Sequence, residues 1–424
     1  MASGPLVGVR VLEFTQILAG PYACAHLADM GAEVIKVEPP GGEPWRLNAQ
    51  YLPGESKWFH QLNRGKRSLV LKLGEPEAEE IVRRLVPEMD VVVINYRPDV
   101  AARLKIDYES LSALNPALVY VDNTAFGRKG PWAHRPGYDI VAQAASGLMA
   151  AEGKLTESGQ PDSIASTSLA DYATGLAMAW GVCGALFNRE RTGQGEYIES
   201  TLLGTALQFQ MDRVMRVPAA DATAEARMAR IRGLRDEGAS YPELLEHYDP
   251  WKASEPVNSV YRGYSTKDGA LAIGALSASL RAKVRAAVGT DFLGVDDPAY
   301  DLEDADWMER GAAAVRAIEE TMRSKTTAEW MEIFDREGVP ASPVNFAEEL
   351  PDDPQVIENG MMVELDHELS GPEWQVAPIL SFANAPLEAQ GASPTLGRDT
   401  DAVLERAGYT SEEIAALRER GVIG

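Results

Sequence analysis

The sequence predicts an α/β protein built on a parallel β-sheet with helices on both faces. Strand-like runs in the first half of the chain are continuously apolar, which is typical of strands buried on both faces. Segments with helical spacing separate these runs, as connections between parallel strands require. Some runs end in polar residues, and parallel sheets bind ligands beyond the carboxyl ends of their strands.

The elements follow in a regular order. A first strand is predicted within residues 7–14 and a helix over residues 19–30. Further strands are predicted at 34–37, 68–71, 91–95, 118–121 and 196–200, with helices around 81–85 and from 168 to 192. The polar residues at the predicted strand ends are Thr15, Glu38, Asn95 and Thr124. A ligand is therefore expected near these four positions.

The chain is long enough for two domains. Residues 1–216 are predicted to form the N-terminal part of a large α/β domain, and polar residues 217–256 a helical linker. Residues 257–344 indicate a small α+β domain that starts with a hairpin turning at Asp268-Gly269. Residues 345–424 are interpreted as a return linker and the C-terminal part of the large domain, ending in an amphipathic helix.

The charge is uneven. The net charge of −24 argues against nucleic-acid and anionic-membrane binding. Residues 1–140 are nearly neutral, with 16 basic and 17 acidic residues, so a polyanionic ligand would bind in this third. No window reaches the length of a membrane span and no signal pattern opens the chain, which predicts a cytoplasmic protein.

Other common site types find little support. Cys24 and Cys183 each lie in an apolar run and are predicted to be core residues. The five histidines have no close metal-ligand spacing, so no metal site is expected. No Gly-x-Ser-x-Gly elbow is present. The first turn contains Gly20 alone, where a dinucleotide fingerprint needs three glycines, which disfavours NAD binding.

Asp171 opens the long apolar helix, and two interpretations remain open from the residues alone. Aspartate at a helix start is usually a cap, because its carboxylate accepts hydrogen bonds from the unpaired N–H groups of the first turn. A carboxylate in that position can also act as a nucleophile, stabilised by the same N–H groups.

The order of short motifs along the chain resembles the family III CoA-transferases. The motifs are Ala19-Gly20-Pro21, Lys66-Arg67-Ser68, Asn95-Tyr96-Arg97-Pro98, Arg103-Leu104, Asn115-Pro116, Gly127, Gly130-Pro131, Pro136-Gly137-Tyr138-Asp139, Asp171, Arg191-Thr192-Gly193-Gln194-Gly195, Thr327-Ala328-Glu329-Trp330, Gly338-Val339-Pro340-Ala341, Asp353-Pro354-Gln355-Val356 and Pro394-Thr395-Leu396-Gly397. No single motif is specific, but their common order covers most of the chain.

The resemblance implies a fold, an activity and a set of site residues. It implies an open, Rossmann-like sheet domain formed by both chain ends, a smaller inserted domain and an interlocked homodimer. It implies transfer of CoA from an acyl-CoA to a carboxylic acid, with no permanently bound cofactor and with Asp171 as the nucleophile. Implied CoA and substrate contacts are Leu18, Ala19, Leu71, Lys72, Leu73, Asn95, Tyr96, Arg97, Arg103, Gly137, Tyr138 and Asp139.

Two segments depart from the family pattern. Members often carry a basic residue directly after the second strand, where this chain has Pro39-Pro40, so the adenosine end of CoA is expected to be held differently. The glycine-run loop that covers the active site of formyl-CoA transferases is absent from residues 256–264. This difference disfavours an oxalate and formate exchange, and the sequence names neither acid.

Two alternative functions share the resemblance. The 2-methylacyl-CoA racemases of the superfamily pair the aspartate with a histidine, and this chain has Tyr138 in the matching segment. A phenol is too weak an acid for ready proton exchange near neutral pH, which disfavours a racemase. A non-catalytic CoA-binding protein is disfavoured because Asp171 is intact.

Overall fold

The structure is a computed structural model that describes residues 3–248 and 255–424. The chain divides into two compact units. The large unit comprises Met1–Val217 and Pro354–Gly424, and the small unit comprises Pro218–Asp353. The large unit is thus built from both ends of the chain, and the small unit is an insertion between them.

A six-stranded parallel sheet forms the centre of the large unit. Its strands are β1 (Arg10–Phe14), β2 (Glu33–Glu38), β3 (Arg67–Val70), β4 (Val91–Ile94), β5 (Val119–Thr124) and β6 (Glu196–Thr201). Their order in the sheet is β3-β2-β1-β4-β5-β6, and every neighbouring pair is parallel. The order reverses between β1 and β4, where sheets of this kind bind ligands at the carboxyl ends. The predicted parallel sheet is confirmed, with strand ends within three residues of the predicted ones.

Helices connect the strands. In chain order they are α1 (Ala19–Asp29), α2 (Pro44–Leu47), α3 (Lys57–Asn63), α4 (Pro76–Leu85), a 3-10 turn (Val86–Glu88), α5 (Pro98–Arg103), α6 (Tyr108–Ser112), α7 (Asp139–Ser146), α8 (Leu148–Glu152), α9 (Leu169–Thr192), α10 (Leu202–Gln208) and α11 (Met211–Val214). The longest of these, α9, is followed directly by Gly193, which caps its C-terminus. The φ of Gly193 is 69°, which suits a residue without a Cβ. Among the described helices, none is both long and apolar enough to span a bilayer.

The small unit contains the predicted hairpin. Its elements are α12 (Ala222–Asp236), α13 (Tyr241–Leu245), a 3-10 turn (Glu255–Val257), β7 (Tyr261–Ser265), β8 (Ala270–Gly274), α14 (Ala278–Val288), a 3-10 turn (Gly294–Asp296), α15 (Ala305–Met322), α16 (Thr327–Glu337), β9 (Ala341–Pro343) and a 3-10 helix (Ala347–Asp352). Strands β7 and β8 are antiparallel. The predicted linker, 217–256, falls almost wholly within this unit and carries α12 and α13, while its residues 249–254 lie outside the described residues.

The C-terminal segment returns to the large unit. It forms α17 (Pro354–Glu358), the antiparallel strands β10 (Met362–His367) and β11 (Gly371–Val376), and then α18 (Thr400–Arg406) and α19 (Ser411–Glu419). The β10–β11 hairpin was not predicted from the sequence. Its residues alternate between buried and exposed positions over only part of their length, so the pattern is weak.

Each face of the large sheet has its own apolar core. On one face α1 and α9 cover the sheet, with Leu27 and Met178 among the buried residues. On the other face Ile81 of α4 shares a core with Leu404 of α18 and Leu417 of α19. The two chain ends therefore fold together, and the carboxyl edge of the sheet is fixed by packing from both sides.

Candidate active site

Asp171 lies in the first turn of α9, and its side chain is buried. The residue is 8 % exposed, and among the described residues none donates a hydrogen bond to its carboxylate. Burial, and secondly the charge of Asp139, raise the pKa of Asp171 to about 7. The carboxyl group is therefore poised between its acid and its carboxylate form near neutral pH, as catalytic groups often are.

Asp139, not Asp171, accepts hydrogen bonds from the start of α9. Its Oδ1 accepts from the backbone N–H groups of Ala170, at 2.7 Å, and Asp171, at 3.1 Å. Its Oδ2 accepts from the side-chain amide of Gln143, and Ser168 at the helix N-cap makes no capping bond. The interpretation of Asp171 as a simple helix cap is thus wrong. Two of the N–H groups expected to stabilise the Asp171 anion are bound to Asp139 instead.

The turn between β1 and α1 lies beside Asp171 and is fixed by polar contacts from other segments. The Asn95 side chain, directly after β4, accepts from Gln16 N at 3.1 Å and donates to Gln16 O at 2.8 Å. Ile17 has a φ of 70°, which is costly for a β-branched residue. Its N–H donates to Glu43 Oε2 at 2.8 Å, and Glu43 is itself buried. These contacts hold the strained turn in place.

A depression at the carboxyl ends of β1, β4 and β5 brings most of the expected contact residues together with Asp171. Those that line it are Leu18, Ala19, Asn95, Tyr96, Arg97, Gly137 and Tyr138. Gly137 is required by close packing, because a Cβ there would lie 2.6 Å from the Ala125 side chain. Arg97 is exposed, and its Nη2 lies 3.5 Å from Asp99 Oδ2.

The remaining expected residues lie elsewhere. Leu71 is buried in the core against the C-terminal residues, and Leu73 packs on the same core. Lys72 donates its backbone N–H to Val422 and pairs through its exposed side chain with Glu75. Residues 71–73 directly follow β3, so they share the carboxyl edge of the sheet without lining the depression. Arg103 is exposed at the end of α5, also outside the depression.

A second depression, of about 430 Å³, adjoins the first at Asp171. Asp139, Tyr138 and Ile17 line it together with Trp45 of α2 and Ser168. Tyr138 borders both depressions and is 62 % exposed. The candidate nucleophile thus lines two adjoining depressions.

Sequence reasoning missed several residues of these depressions. They include Gln16, Ile17, Trp45, Phe126, Arg135, Ser168 and Leu202. Arg135 supplies a second guanidinium beside the depression that holds Arg97. The sequence feature that could have indicated Arg135 as a site residue is its position directly before the Pro136-Gly137-Tyr138-Asp139 motif.

The whole chain resembles proteins of one family. A sequence profile of CoA-transferase family III matches residues 6–400. The chain belongs to CoA-transferase family III. The resemblance inferred from the ordered motifs is thereby confirmed, and the chain is a CoA-transferase.

Curated relatives span almost the same length. The succinyl-CoA:glutarate CoA-transferase of Mus musculus is 30% identical over 99% of this chain and 90% of its own length. The acetyl-CoA:oxalate CoA-transferase of Acetobacter aceti is 32% identical over 85% of this chain and 86% of its own. Identity near 30% shows a common family, while the two relatives' names differ in both donor and acceptor.

Solved structures of the family agree with the fold. A CaiB/BaiF family protein from Brucella suis has a TM-score of 0.72 at 29% identity, covering 96% of this chain and 100% of its own. A hypothetical protein from Mycobacterium tuberculosis has a TM-score of 0.73 at 28% identity, covering 95% and 99%. The α/β fold with its six-stranded sheet is therefore that of the family III CoA-transferases.

Proposed function

We propose that this family III CoA-transferase moves CoA from an acyl-CoA to a free carboxylic acid, with Asp171 as the covalent nucleophile. One observation carries the proposal. A buried carboxyl group, with its pKa raised to about 7 and no hydrogen bond accepted from the described residues, lines two adjoining depressions at the carboxyl edge of the sheet. A structural aspartate would be hydrogen-bonded, whereas a nucleophile needs free lone pairs.

The proposed reaction exchanges acyl groups without moving a proton. A carboxylate oxygen of Asp171 attacks the thioester carbonyl, the C–S bond breaks, and CoA thiolate leaves a mixed anhydride. The thiolate attacks the aspartyl carbonyl and releases the donor acid as a carboxylate, which leaves an aspartyl-CoA thioester. The acceptor carboxylate then attacks the aspartyl carbonyl and expels the thiolate. The thiolate attacks the acceptor carbonyl, releases the new acyl-CoA, and restores the Asp171 carboxylate.

The chemistry explains why a carboxylate suits this exchange. Each intermediate is an anhydride or a thioester, so the energy of the original thioester is kept for the acceptor acid. A serine ester would lose much of that energy. Water must be excluded while the intermediates exist, and Asp171 is buried.

We further propose which residues contact CoA. Arg97 and Arg135 line the same depression as Asp171, so they are suited to pair with phosphate groups. Leu18 and Ala19, with Tyr96, Gly137 and Tyr138, would contact the pantetheine arm. Lys72 and Arg103 lie outside the depression, so they would contact CoA only where the ligand extends along the edge of the sheet. Leu71 and Leu73 would support the backbone on either side of Lys72. Asp139 would position Asp171 through the α9 backbone.

A substrate screen identifies the two acids. We expect the acyl group to occupy the depression that contains Trp45 and Ser168, which Ile17 also lines. A panel of acyl-CoA donors and free acids, read by mass spectrometry, tests this. Succinate, glutarate, oxalate and mesaconate belong in the panel because relatives carry those names. Failure of every donor to form a new acyl-CoA would contradict the transferase proposal.

We propose that two chains form an interlocked homodimer. Helix α9 covers the sheet with one side, yet Leu176, Trp180 and Phe187 on another side are 40%, 75% and 66% exposed. An apolar row of this size is unusual on a monomer and typical of an interface. Light scattering at decreasing concentration should show a dimer that dissociates only when the protein unfolds. A folded, active monomer in dilute solution would exclude interlocking.

Substitution of Tyr138 tests the racemase alternative. If the phenol only contacts the thioester, Tyr138→Phe should reduce the transfer rate a few-fold to about tenfold, because one hydrogen bond is worth roughly 0.5–1.5 kcal/mol. Wild-type enzyme given a chiral 2-methylacyl-CoA in deuterated water should leave the α-proton unexchanged. Rapid deuterium uptake that Tyr138→Phe abolishes would instead support a racemase.

A further inference from the structure

A cluster of two histidines and a glutamate lies apart from Asp171 in the large unit. Glu55 precedes α3, His60 lies within α3, and His367 ends β10, so the fold joins residues that are distant in the sequence. All three are buried, at 2 %, 3 % and 1 % exposed. One possible ligand atom from each of the three residues lies within 4.8 Å of those from the other two. None of the three lines either depression at Asp171.

The Nδ1 atom of each ring has polar partners outside the cluster. His60 Nδ1 lies 2.7 Å from Glu373 Oε2, and His367 Nδ1 lies 2.9 Å from Ser370 Oγ. His367 Nδ1 also accepts long hydrogen bonds from the backbone N–H groups of Leu369 and Ser370, at 3.4 and 3.3 Å. A metal ion on both Nε2 atoms would require each Nδ1 to carry the ring proton and to donate it to Glu373 or Ser370. His367 would then give up its two long backbone hydrogen bonds for the shorter one to Ser370 Oγ. Metal-binding histidines typically have their other ring nitrogen fixed in this way.

The two Nε2 atoms face one carboxylate oxygen. His60 Nε2 is 2.9 Å from Glu55 Oε2, and His367 Nε2 is 3.9 Å from the same atom. His367 Nε2 is buried and has no hydrogen-bond partner among the described residues. A buried ring nitrogen without a partner is unfavourable, and a metal ion between it and the carboxylate would supply one. The separations also fit ligands of one tetrahedral zinc ion, which are about 3.3 Å apart when the bonds are about 2.0–2.1 Å.

The surrounding charges leave a deficit of positive charge. The side chains of Glu38 and Glu55 are buried, and that of Glu373 is 17% exposed. The guanidinium of Arg46 contacts both Glu38 and Glu55. Among these contacts three carboxylates face one guanidinium, which leaves a charge of −2 when both histidines are neutral and −1 when His60 carries a second proton. Arg46 bonds mainly to Glu38, at 2.7 and 2.9 Å, and approaches Glu55 only at 3.5 Å. A single divalent cation at Glu55 would balance this charge.

We propose that Glu55, His60 and His367 bind one divalent metal ion, with zinc as the best match to two imidazoles and one carboxylate. Glu373 and Ser370 orient the two rings. A cavity of about 680 Å³ borders the cluster at His60, Ser370 and Glu373, so water can complete the coordination. The ion clamps the β10–β11 hairpin onto α3. It takes no part in the transfer reaction, so this proposal stands or fails independently of the role of Asp171.

Metal analysis of untagged, full-length protein tests the proposal. Protein stripped with a chelator and titrated with Zn²⁺ should bind one equivalent per chain and melt at a higher temperature than the stripped sample. X-ray absorption of the zinc-loaded wild type should show two imidazole nitrogens and carboxylate oxygen at about 2.0–2.2 Å. Because this measurement uses the wild type, it decides the proposal even where a variant fails to fold.

Matched variants locate the ion. His367→Gln and Glu55→Gln should each weaken Zn²⁺ binding by at least about 100-fold. Glu373→Gln, which only orients His60, should weaken it about 10- to 100-fold while retaining one equivalent. His134→Gln, at an exposed histidine outside the cluster, should bind as the wild type does. Less than one equivalent in the wild type, a ligand set without two imidazoles, or unchanged affinity in His367→Gln would overturn the proposal.

Discussion

Asp171→Ala and Asp171→Asn are expected to abolish CoA transfer, with a loss of at least about 1000-fold in rate. Neither side chain can form an anhydride, so the whole covalent route is removed rather than weakened. Asp306→Asn is the matched control, because Asp306 is an exposed acidic residue in the first turn of α15 and should keep full activity. More than a few per cent of wild-type activity in either Asp171 variant would contradict the assignment.

Loss of activity in these variants should not come with loss of stability. The pKa of Asp171 in the folded chain, about 7, lies above the value of about 3.9 expected in the unfolded chain. The folded state therefore holds the proton more tightly, and its stability falls as the pH rises from about 4 to about 7. Asp171→Asn lacks this charge and should be at least as stable as the wild type at pH 8. A clear drop in melting temperature at pH 8 would indicate a structural role.

Asp139 is expected to control both the position and the ionisation of Asp171. Asp139→Ala leaves the N–H groups of Ala170 and Asp171 without an acceptor, which costs about 1–3 kcal/mol for a buried group. Displacement of the first turn of α9 should reduce the maximal transfer rate by about 10- to 100-fold. Asp139→Asn keeps an acceptor oxygen for the two backbone N–H groups but turns its NH2 toward the Gln143 amide, so it should lose less of that rate than Asp139→Ala does.

The two Asp139 variants should separate in their pH profiles. In the wild type, kcat/KM should rise with pH and level off above about 7, since Asp171 must be a carboxylate to attack. Asp139→Asn removes the negative charge that helps to raise the pKa of Asp171, so the profile should move to lower pH. Burial is the larger cause and remains, so the pKa should stay above its usual range. An unchanged profile in Asp139→Asn would show that the charge of Asp139 does not act on Asp171.

The sheet could be predicted because its strands are buried on both faces. Apolar runs such as residues 91–94 and 119–121 have no polar face, and this composition is unusual outside a covered parallel sheet. The start of α9 was equally clear from the long apolar helix. In contrast, the β10–β11 hairpin has exposed Trp374 and Val376, so its pattern resembles neither a core strand nor a regular surface strand.

The site was harder to predict where it depends on contacts between distant segments. The amide of Asn95 binds the backbone of Gln16, and the carboxylate of Asp139 binds the start of α9. The family resemblance implies that Asn95 and Asp139 contact the ligand. Nothing in the sequence around either residue indicates a hydrogen bond to the backbone of a distant segment. The spacing of His60 and His367 in the sequence disfavours a metal site, and it does not indicate that the fold brings their ring centroids to 4.2 Å.

The oxygen atoms of the acceptor acid test the central claim most directly. In the proposed reaction the acceptor carboxylate leaves one of its oxygens on Asp171 at every turnover. Enzyme that has turned over an acceptor labelled with ¹⁸O in both carboxylate oxygens should therefore contain ¹⁸O in the peptide with Asp171, and fragmentation should place the label on that side chain. Formation of the new acyl-CoA without any ¹⁸O in Asp171 would contradict a covalent aspartyl route.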